Sequence, residues 1–247
     1  MEKLMNGAYG YNTVALAYNC DVKGNLSLTS IMKELERVAT QQLDGKGLNY
    51  IKMKNENMIF VVTKVNMRIL RVPKSREEIK IMTTPQFTKG PYFMRKSQIG
   101  TMDGELLVEC QAAWVLVDPD SRRILRPTDF KYDMDWNKDE PCDMDIFKKS
   151  VELTQNATTS YIKKVRYSDL DANNHMNNTL YATVIVDALP SINTMEKDIT
   201  ELYLHYQKEC RLGDEIEIKI EKIADNRFVV AGFIEGVAHF ISEIATN

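Results

Sequence analysis

The sequence has few of the residues that build metal centres and disulfide frameworks. Its 247 residues include three histidines and four cysteines, and the cysteines are Cys20, Cys110, Cys142 and Cys210. They are widely spaced, form no CxxC pair and have no histidine at metal-ligand spacing. This spacing argues against both disulfide bonds and a structural zinc site.

Long apolar runs are also missing. No stretch approaches the roughly 20 apolar residues needed to span a bilayer, and the opening MEKLMNGAYGYNT lacks the continuous apolar core of a secretory signal. The sequence has no Gly-rich phosphate loop, and its net charge of −3 gives no general attraction to nucleic acid. We therefore expect a cytoplasmic protein that binds neither a membrane nor nucleic acid.

The first part of the chain predicts a strand, then an amphipathic helix, then an antiparallel meander. GAYGYNTVALAYN mixes aromatic and β-branched residues as strands do, and in LSLTSIMKELERVATQQL the apolar residues recur at helical spacing. Ser27 or Thr29 can cap the start of this helix. Several strand-like runs follow, two of them joined through Asp103-Gly104, which is a strong hairpin signal.

The same order returns in the last part of the chain. After an acidic, proline-containing stretch, SYIKKVRYS predicts a strand, NNTLYATVIVDAL a helix, and four further runs predict strands. We therefore divide the chain into an N-terminal unit, residues 1–135, a connector, residues 136–158, and a C-terminal unit, residues 159–247. The chain is built twice.

The two copies differ in one polar stretch. NCDVKGNLSLTSI in the first copy and DLDANNHMNNTLY in the second share an aspartate, a polar turn and a following helix. Where the second has Asn173, His175 and Glu209, the first has lysine, asparagine and isoleucine. Asn and Asp are also ordinary turn residues, but a polar set present in only one copy indicates a functional site.

The predicted elements can bring this polar set together. If the second helix begins near Asn177 or Asn178, its unpaired N–H groups and positive dipole end face Asn173 and His175. Glu209 ends a strand-like run, and a sheet wrapped around the helix can carry it to the turn. Developing negative charge would be stabilised at this point.

DLDANNHMNN followed by LHYQKEC resembles the signature of the acyl-acyl carrier protein thioesterases of bacteria and plant plastids. The similarity extends over nearly the whole chain, including AAWVLVDPDSRRILRP. The resemblance implies an α+β fold of two tandem hot-dog units, each an antiparallel sheet wrapped around a long central helix, with the active site in the C-terminal unit. It also implies hydrolysis of fatty acyl-acyl carrier protein to free fatty acid, which ends chain elongation, without a metal or organic cofactor.

Carried over by position, the catalytic set of this family falls on Asp171, Asn173, His175 and Glu209. We expect Glu209, helped by His175, to activate water, while Asn173 and a helix N-terminal amide hold the thioester carbonyl and Asp171 orients its neighbours. In the alternative, Cys210 attacks directly with His175 as its base. Adjacent strand residues face opposite sides, so Glu209 and Cys210 cannot easily both point inward, and we favour Glu209.

The acyl chain should lie in an apolar tunnel of the N-terminal unit. The candidate lining residues are Met32, Leu35, Ile59, Phe60 and Val61. Ordinary core packing predicts the same residues, so the sequence does not separate the two interpretations.

The partner implied by the resemblance is acyl carrier protein, whose acidity calls for basic side chains near the tunnel mouth. Three basic clusters are candidates: Arg68, Arg71, Lys74 and Arg76; Arg122, Arg123 and Arg126; Lys163, Lys164 and Arg166. The chain is expected to be a monomer or a homodimer.

Two other functions stay open from the sequence. An acyl-CoA thioesterase would need a nucleotide pocket in place of a protein-docking surface. A non-catalytic acyl-binding hot-dog protein would need only the apolar tunnel, so the presence of Asn173, His175 and Glu209 together argues against it.

Overall fold

The fold, seen in a computed structural model, is an antiparallel sheet with a few helices packed on it. The structure describes residues 2–4, 8–137, 144, 146–147, 151–190 and 195–247, so Cys142 lies outside the described residues. The strands of the described residues are Glu2–Lys3 (β1), Tyr9–Val14 (β2), Ile59–Ile69 (β3), Glu78–Lys89 (β4), Tyr92–Thr101 (β5), Leu106–Val117 (β6), Thr158–Lys164 (β7), Ile199–Tyr206 (β8), Glu215–Ala224 (β9), Arg227–Ile234 (β10) and Val237–Thr246 (β11).

These strands form one sheet in the order β1-β2-β4-β5-β6-β3-β8-β11-β10-β9-β7. The first six strands come from the N-terminal part of the chain and the other five from the C-terminal part. The two sets meet where β3 pairs with β8, with Asn66 opposite Tyr203 at the middle of the register. The interior of the molecule is therefore continuous across this seam.

The first long helix, α1, spans Leu28–Gly45 and confirms the predicted amphipathic helix. Its cap is Ser27, whose Oγ accepts the backbone N–H of Ser30 at 3.2 Å. Ile31 and Val38 are buried on its inner face. A short second helix, α2, spans Tyr50–Asn55.

The helix of the second copy, α3, spans Leu180–Ala188. The predictions that it begins near Asn177 or Asn178 and that it is long were wrong, because it has nine residues where α1 has eighteen. Leu189 is already extended, as expected for the residue that precedes Pro190. The two helices lie side by side, with the hydroxyl oxygens of Thr29 and Thr183 2.6 Å apart.

The loop before each helix has the same local geometry. A short 3₁₀ turn is followed by an isolated antiparallel bridge, Cys20 to Leu26 in the first copy and Leu170 to Met176 in the second. The aspartates of the two loops are Asp21 and Asp171. In each loop the aspartate side chain accepts the backbone N–H groups of the residues two and four positions further on. The internal similarity seen in the sequence therefore extends to the backbone.

In the described part of the chain, no helix combines the length and the apolar character required to cross a membrane.

Candidate active site

The polar loop before α3 is held by its own aspartate. Asp171 Oδ1 accepts the backbone N–H of Asn173 at 2.8 Å and that of His175 at 3.3 Å. Between them Asn174 has a φ of 60°, a left-handed conformation that asparagine tolerates. Asp171 is a turn residue that places the two side chains, and its bonds reach the backbone of His175, not the imidazole.

The predicted pair of His175 and Glu209 meets in space. His175 Nε2 lies 3.1 Å from Glu209 Oε2, and both side chains are partly exposed. The expectation that Glu209 ends a strand was wrong, because β8 stops at Tyr206. An isolated antiparallel bridge between His175 and Arg211 instead brings the following segment against the polar loop.

Glu209 is held in its ionised form by two arginines. Burial alone would raise the pKa of its carboxyl, but hydrogen bonds from Arg122 and Arg211, with the charge of His175, outweigh burial and lower that pKa. An ionised carboxylate only accepts hydrogen bonds. The contact of His175 Nε2 with Glu209 Oε2 at 3.1 Å therefore places a hydrogen on Nε2.

Tyr50, at the start of α2, contacts the site from the N-terminal half of the chain. Its hydroxyl donates to Asn173 Oδ1 at 2.6 Å. With the amide oxygen occupied, the Nδ2 group of Asn173 donates one N–H to Asp171 Oδ2 at 3.5 Å and has a second N–H that can donate to a ligand. No spacing in the sequence pointed to Tyr50 or to Arg211, whereas Arg122 was noticed only as part of a basic cluster.

Cys210 lies on the opposite side of its segment from Glu209, as expected. Its side chain is fully buried in the core, and burial raises the pKa of the thiol to about 11. Its Sγ is 3.5 Å from Nδ1 of His239, which also lies 2.9 Å from the carbonyl oxygen of Glu209. The structure therefore gives Cys210 no contact with His175, the base that the alternative mechanism assigned to it.

An apolar cavity of about 40 Å³ lies between α1 and the strands β3, β5 and β6. Asn178 and Thr179, directly after the polar loop, line one end of it. The predicted Met32 and Leu35 line it as well.

The predicted Ile59, Phe60 and Val61 are not among its lining residues, and their contact with an acyl chain stays a prediction. Strand alternation, shifted by an irregularity between Val62 and Lys64, directs other β3 side chains inward: Val62, Val65 and Met67. Phe60 packs in a separate aromatic cluster, 5.1 Å from the ring of Phe93.

The described residues hold no group of three or more histidine, cysteine or acidic side chains that could bind a metal ion. The chemistry available at this site is that of an imidazole, a carboxylate and an amide at the mouth of an apolar cavity. Such a set suits proton transfer and stabilisation of a developing oxyanion.

Comparison with family models gives two matches that follow one another along the chain. Residues 9–132 match the acyl-ACP thioesterase N-terminal domain, and residues 151–237 match the acyl-ACP thioesterase C-terminal domain. Together they span most of the sequence.

Two curated relatives are plant proteins. The oleoyl-acyl carrier protein thioesterase 2, chloroplastic, of Arabidopsis thaliana is 23% identical over 87% of this chain and 64% of its own length. The palmitoyl-acyl carrier protein thioesterase, chloroplastic, of Gossypium hirsutum is 23% identical over 82% of this chain and 52% of its own length. The chain thus spans about half to two thirds of the length of these relatives.

Two solved structures share the fold. An acyl-ACP thioesterase from Bacteroides thetaiotaomicron has a TM-score of 0.89 at 20% identity, with 100% of both chains covered. The 12:0-ACP thioesterase from Umbellularia californica has a TM-score of 0.84 at 17% identity, with 99% of this chain and 98% of the other covered.

The burial of Cys210 predicts a low reactivity of its thiol. Alkylation requires the thiolate, so iodoacetamide at neutral pH should label the partly exposed Cys20 well before Cys210 and the equally buried Cys110. Peptide mass spectrometry at successive times measures the three rates. Equal labelling in urea is the control, and fast labelling of Cys210 in the native protein would contradict the buried assignment.

Proposed function

The chain belongs to the acyl-ACP thioesterase family, and we propose that it hydrolyses fatty acyl-acyl carrier protein to free fatty acid, ending chain elongation. The observation that carries the proposal is the contact of His175 with Glu209 beside one end of an apolar cavity. The apolar lining of the cavity suits a fatty acyl chain, whose thioester would then lie against the polar loop.

The architecture that goes with this function is a pair of tandem hot-dog units. We assign residues 1–135 to an acyl-binding unit, residues 136–158 to a connector and residues 159–247 to a catalytic unit. The matching loops before α1 and α3 and the central pairing of β3 with β8 support this division. The cytoplasmic location and the monomeric or dimeric state stay predictions.

In the mechanism that we favour, water attacks the thioester carbon and the imidazole of His175 takes its proton. Arg122 and Arg211 stabilise the ionised carboxylate of Glu209, so the carboxylate is a weak base and a strong partner for an imidazolium. This order exchanges the roles expected from the sequence, in which Glu209 was the base.

Collapse of the tetrahedral intermediate breaks the carbon–sulfur bond. The imidazolium returns its proton to the pantetheine sulfur, which leaves as a thiol, and the acyl group leaves as a fatty acid. The Nδ2 group of Asn173 would donate to the carbonyl oxygen as negative charge develops on it.

Charge near the site fits the docking of an acidic carrier protein. Most of the predicted basic clusters are neutralised: Arg71 pairs with Glu77, Lys163 with Asp169, Lys164 with Glu215 and Arg126 with Asp129. Among the described residues, cations that face solvent beside the site include Arg123, next to the arginine that binds Glu209, and Lys52 and Lys54 of α2, next to Tyr50. We assign this group as the docking surface.

The first prediction concerns the nucleophile. Glu209→Gln should lower kcat at least about 100-fold, the usual contribution of general acid and base groups, because the amide cannot stabilise the imidazolium. Cys210→Ala should retain activity. Release of free acid from carrier-protein and coenzyme A thioesters of several chain lengths measures both, and loss of activity in Cys210→Ala alone would indicate a covalent acyl-enzyme.

The second concerns Tyr50 as a positioning residue. Tyr50→Phe removes the hydroxyl that fixes the amide of Asn173, so kcat should fall about tenfold, the worth of one such hydrogen bond, while KM stays unchanged. Tyr167→Phe is the matched control, because Tyr167 is highly exposed close to the same loop. A rise in KM with an unchanged kcat would argue against positioning.

The third concerns docking. Lys52→Glu should raise KM for carrier-protein esters roughly fivefold, the scale of one exposed ion pair, and leave kcat and the hydrolysis of coenzyme A esters unchanged. The effect should shrink as salt is added. The control is Lys222→Glu, which removes an exposed lysine of β9 that pairs with Asp225. Equal effects of Lys52→Glu and Lys222→Glu on KM would refute the assigned surface.

A further inference from the structure

The cavity beside the polar loop is mostly apolar, but two donor groups stand on its sheet wall: the guanidinium of Arg95, on β5, and the indole of Trp114, on β6. β5 is separated from β8, which leads to Glu209, by β6 and β3. Three strand spacings amount to roughly 14 Å. Under the proposed function, Arg95 would therefore meet the tail of the acyl chain and not its thioester.

Arg95 has no acidic partner among the described residues. Its Nη1 donates to Thr83 Oγ1 at 2.9 Å and its Nη2 to Gln42 Oε1 at 2.8 Å. Both acceptors are neutral and buried. Burial lowers the pKa of Arg95 to about 10, so the group still carries its charge at neutral pH. The described residues provide acceptors for two of its five N–H donors.

Trp114 adds a second unused donor. Its Nε1–H is buried and has no hydrogen-bond partner in the described part of the chain. Buried donors are nearly always paired, and an orphan costs free energy unless it meets an acceptor. Indole and guanidinium both donate only, so they call for the same kind of ligand atom.

The cavity does contain one acid, but it does not serve Arg95. Glu36 of α1 also lines the wall, and burial, followed by the charge of Asp171, raises its pKa. That influence puts Glu36 at the end near the polar loop. Thr83 and Gln42 take up two donors of the guanidinium, and among the described residues the indole N–H of Trp114 has no acceptor.

We propose that the far end of this cavity takes an acyl tail carrying a hydrogen-bond-accepting oxygen: a hydroxyl, an oxo group or a terminal carboxylate. An unsubstituted hydrocarbon tail would cover the guanidinium and the indole N–H without replacing their solvation. An oxygen on the tail would accept a hydrogen bond from one or the other of these donors. The inference rests on the proposed function and names its substrate class.

The test compares carrier-protein thioesters of one chain length with an unsubstituted, a hydroxylated, an oxo-substituted and a carboxylated tail. Wild type should favour at least one oxygenated ester by about tenfold in kcat/KM. Trp114→Phe keeps the ring and removes the donor, and Arg95→Met removes the charge, so each should reduce the preference. If the preference for the carboxylated ester is lost only in Arg95→Met, the natural tail is charged. If the preference for the hydroxylated or oxo-substituted ester is lost in Trp114→Phe, the natural tail is neutral.

Met67→Leu is the matched control, because it changes a lining side chain of the same cavity without touching a donor. It should leave the preference intact. A wild-type enzyme that hydrolyses the unsubstituted ester as well as or better than every oxygenated one would overturn the tail site and leave the proposed function standing.

Calorimetry with the free acids distinguishes failure of the tail site from failure of the proposed function. The wild-type protein should bind an oxygenated acid about tenfold more tightly than the unsubstituted acid, and Trp114→Phe should narrow that gap even if Arg95→Met does not fold. If no ester is hydrolysed, the proposed function fails. Equal binding of the acids would then overturn the tail site as well, and tighter binding of an oxygenated acid would support it.

Discussion

The backbone pairing of β3 with β8, from Lys64 opposite His205 to Arg68 opposite Glu201, is the constraint on which the rest of the structure depends. It makes one sheet from two sets of strands. The cavity is built on β3, β5 and β6, whereas the polar loop belongs to the second half, and this seam, with contacts such as that of Tyr50 with Asn173, brings the two together. The first half alone would have an apolar cavity without the catalytic side chains. The second half alone would have those side chains without the cavity.

The charges at the site follow from that geometry. Arg122 comes from the first half and Arg211 from the second, and both donate to Glu209. Because the folded carboxyl has a lowered pKa, its interactions stabilise the fold above the ordinary pKa of glutamate and are lost as the pH falls through the folded value. The same ionised carboxylate fixes the hydrogen on Nε2 of His175, so one ion cluster serves both stability and orientation.

The sequence predicted the parts of this arrangement that are local. Periodicity and capping located α1, and the aspartate and asparagine pattern located the polar loop, because both depend on residues close together in the chain. Tyr50 was missed because 123 positions separate it from Asn173, and only packing brings them together.

The side chains of β3 that line the cavity differ, for a related reason, from those that the sequence offered as candidates. An irregularity after Val62 shifts which residues face inward, and such a register change leaves no mark in the hydrophobic pattern. The length of α3 was also predicted wrongly. The apolar run predicted that a helix forms, but it did not fix the residue at which the helix begins.

The first copy of the loop shows that its backbone does not decide what it does. There Lys23 Nζ and Asn25 Nδ2 lie 2.7 and 2.9 Å from Oδ1 of Asp198, a residue directly before β8. The loop that carries Asn173 and His175 in the second copy thus serves, in the first, as an anchor for the other half of the chain. Identical turns held by Asp21 and Asp171 support an anchor and a candidate active site, so function here is set by the side chains placed on the loop and not by its fold.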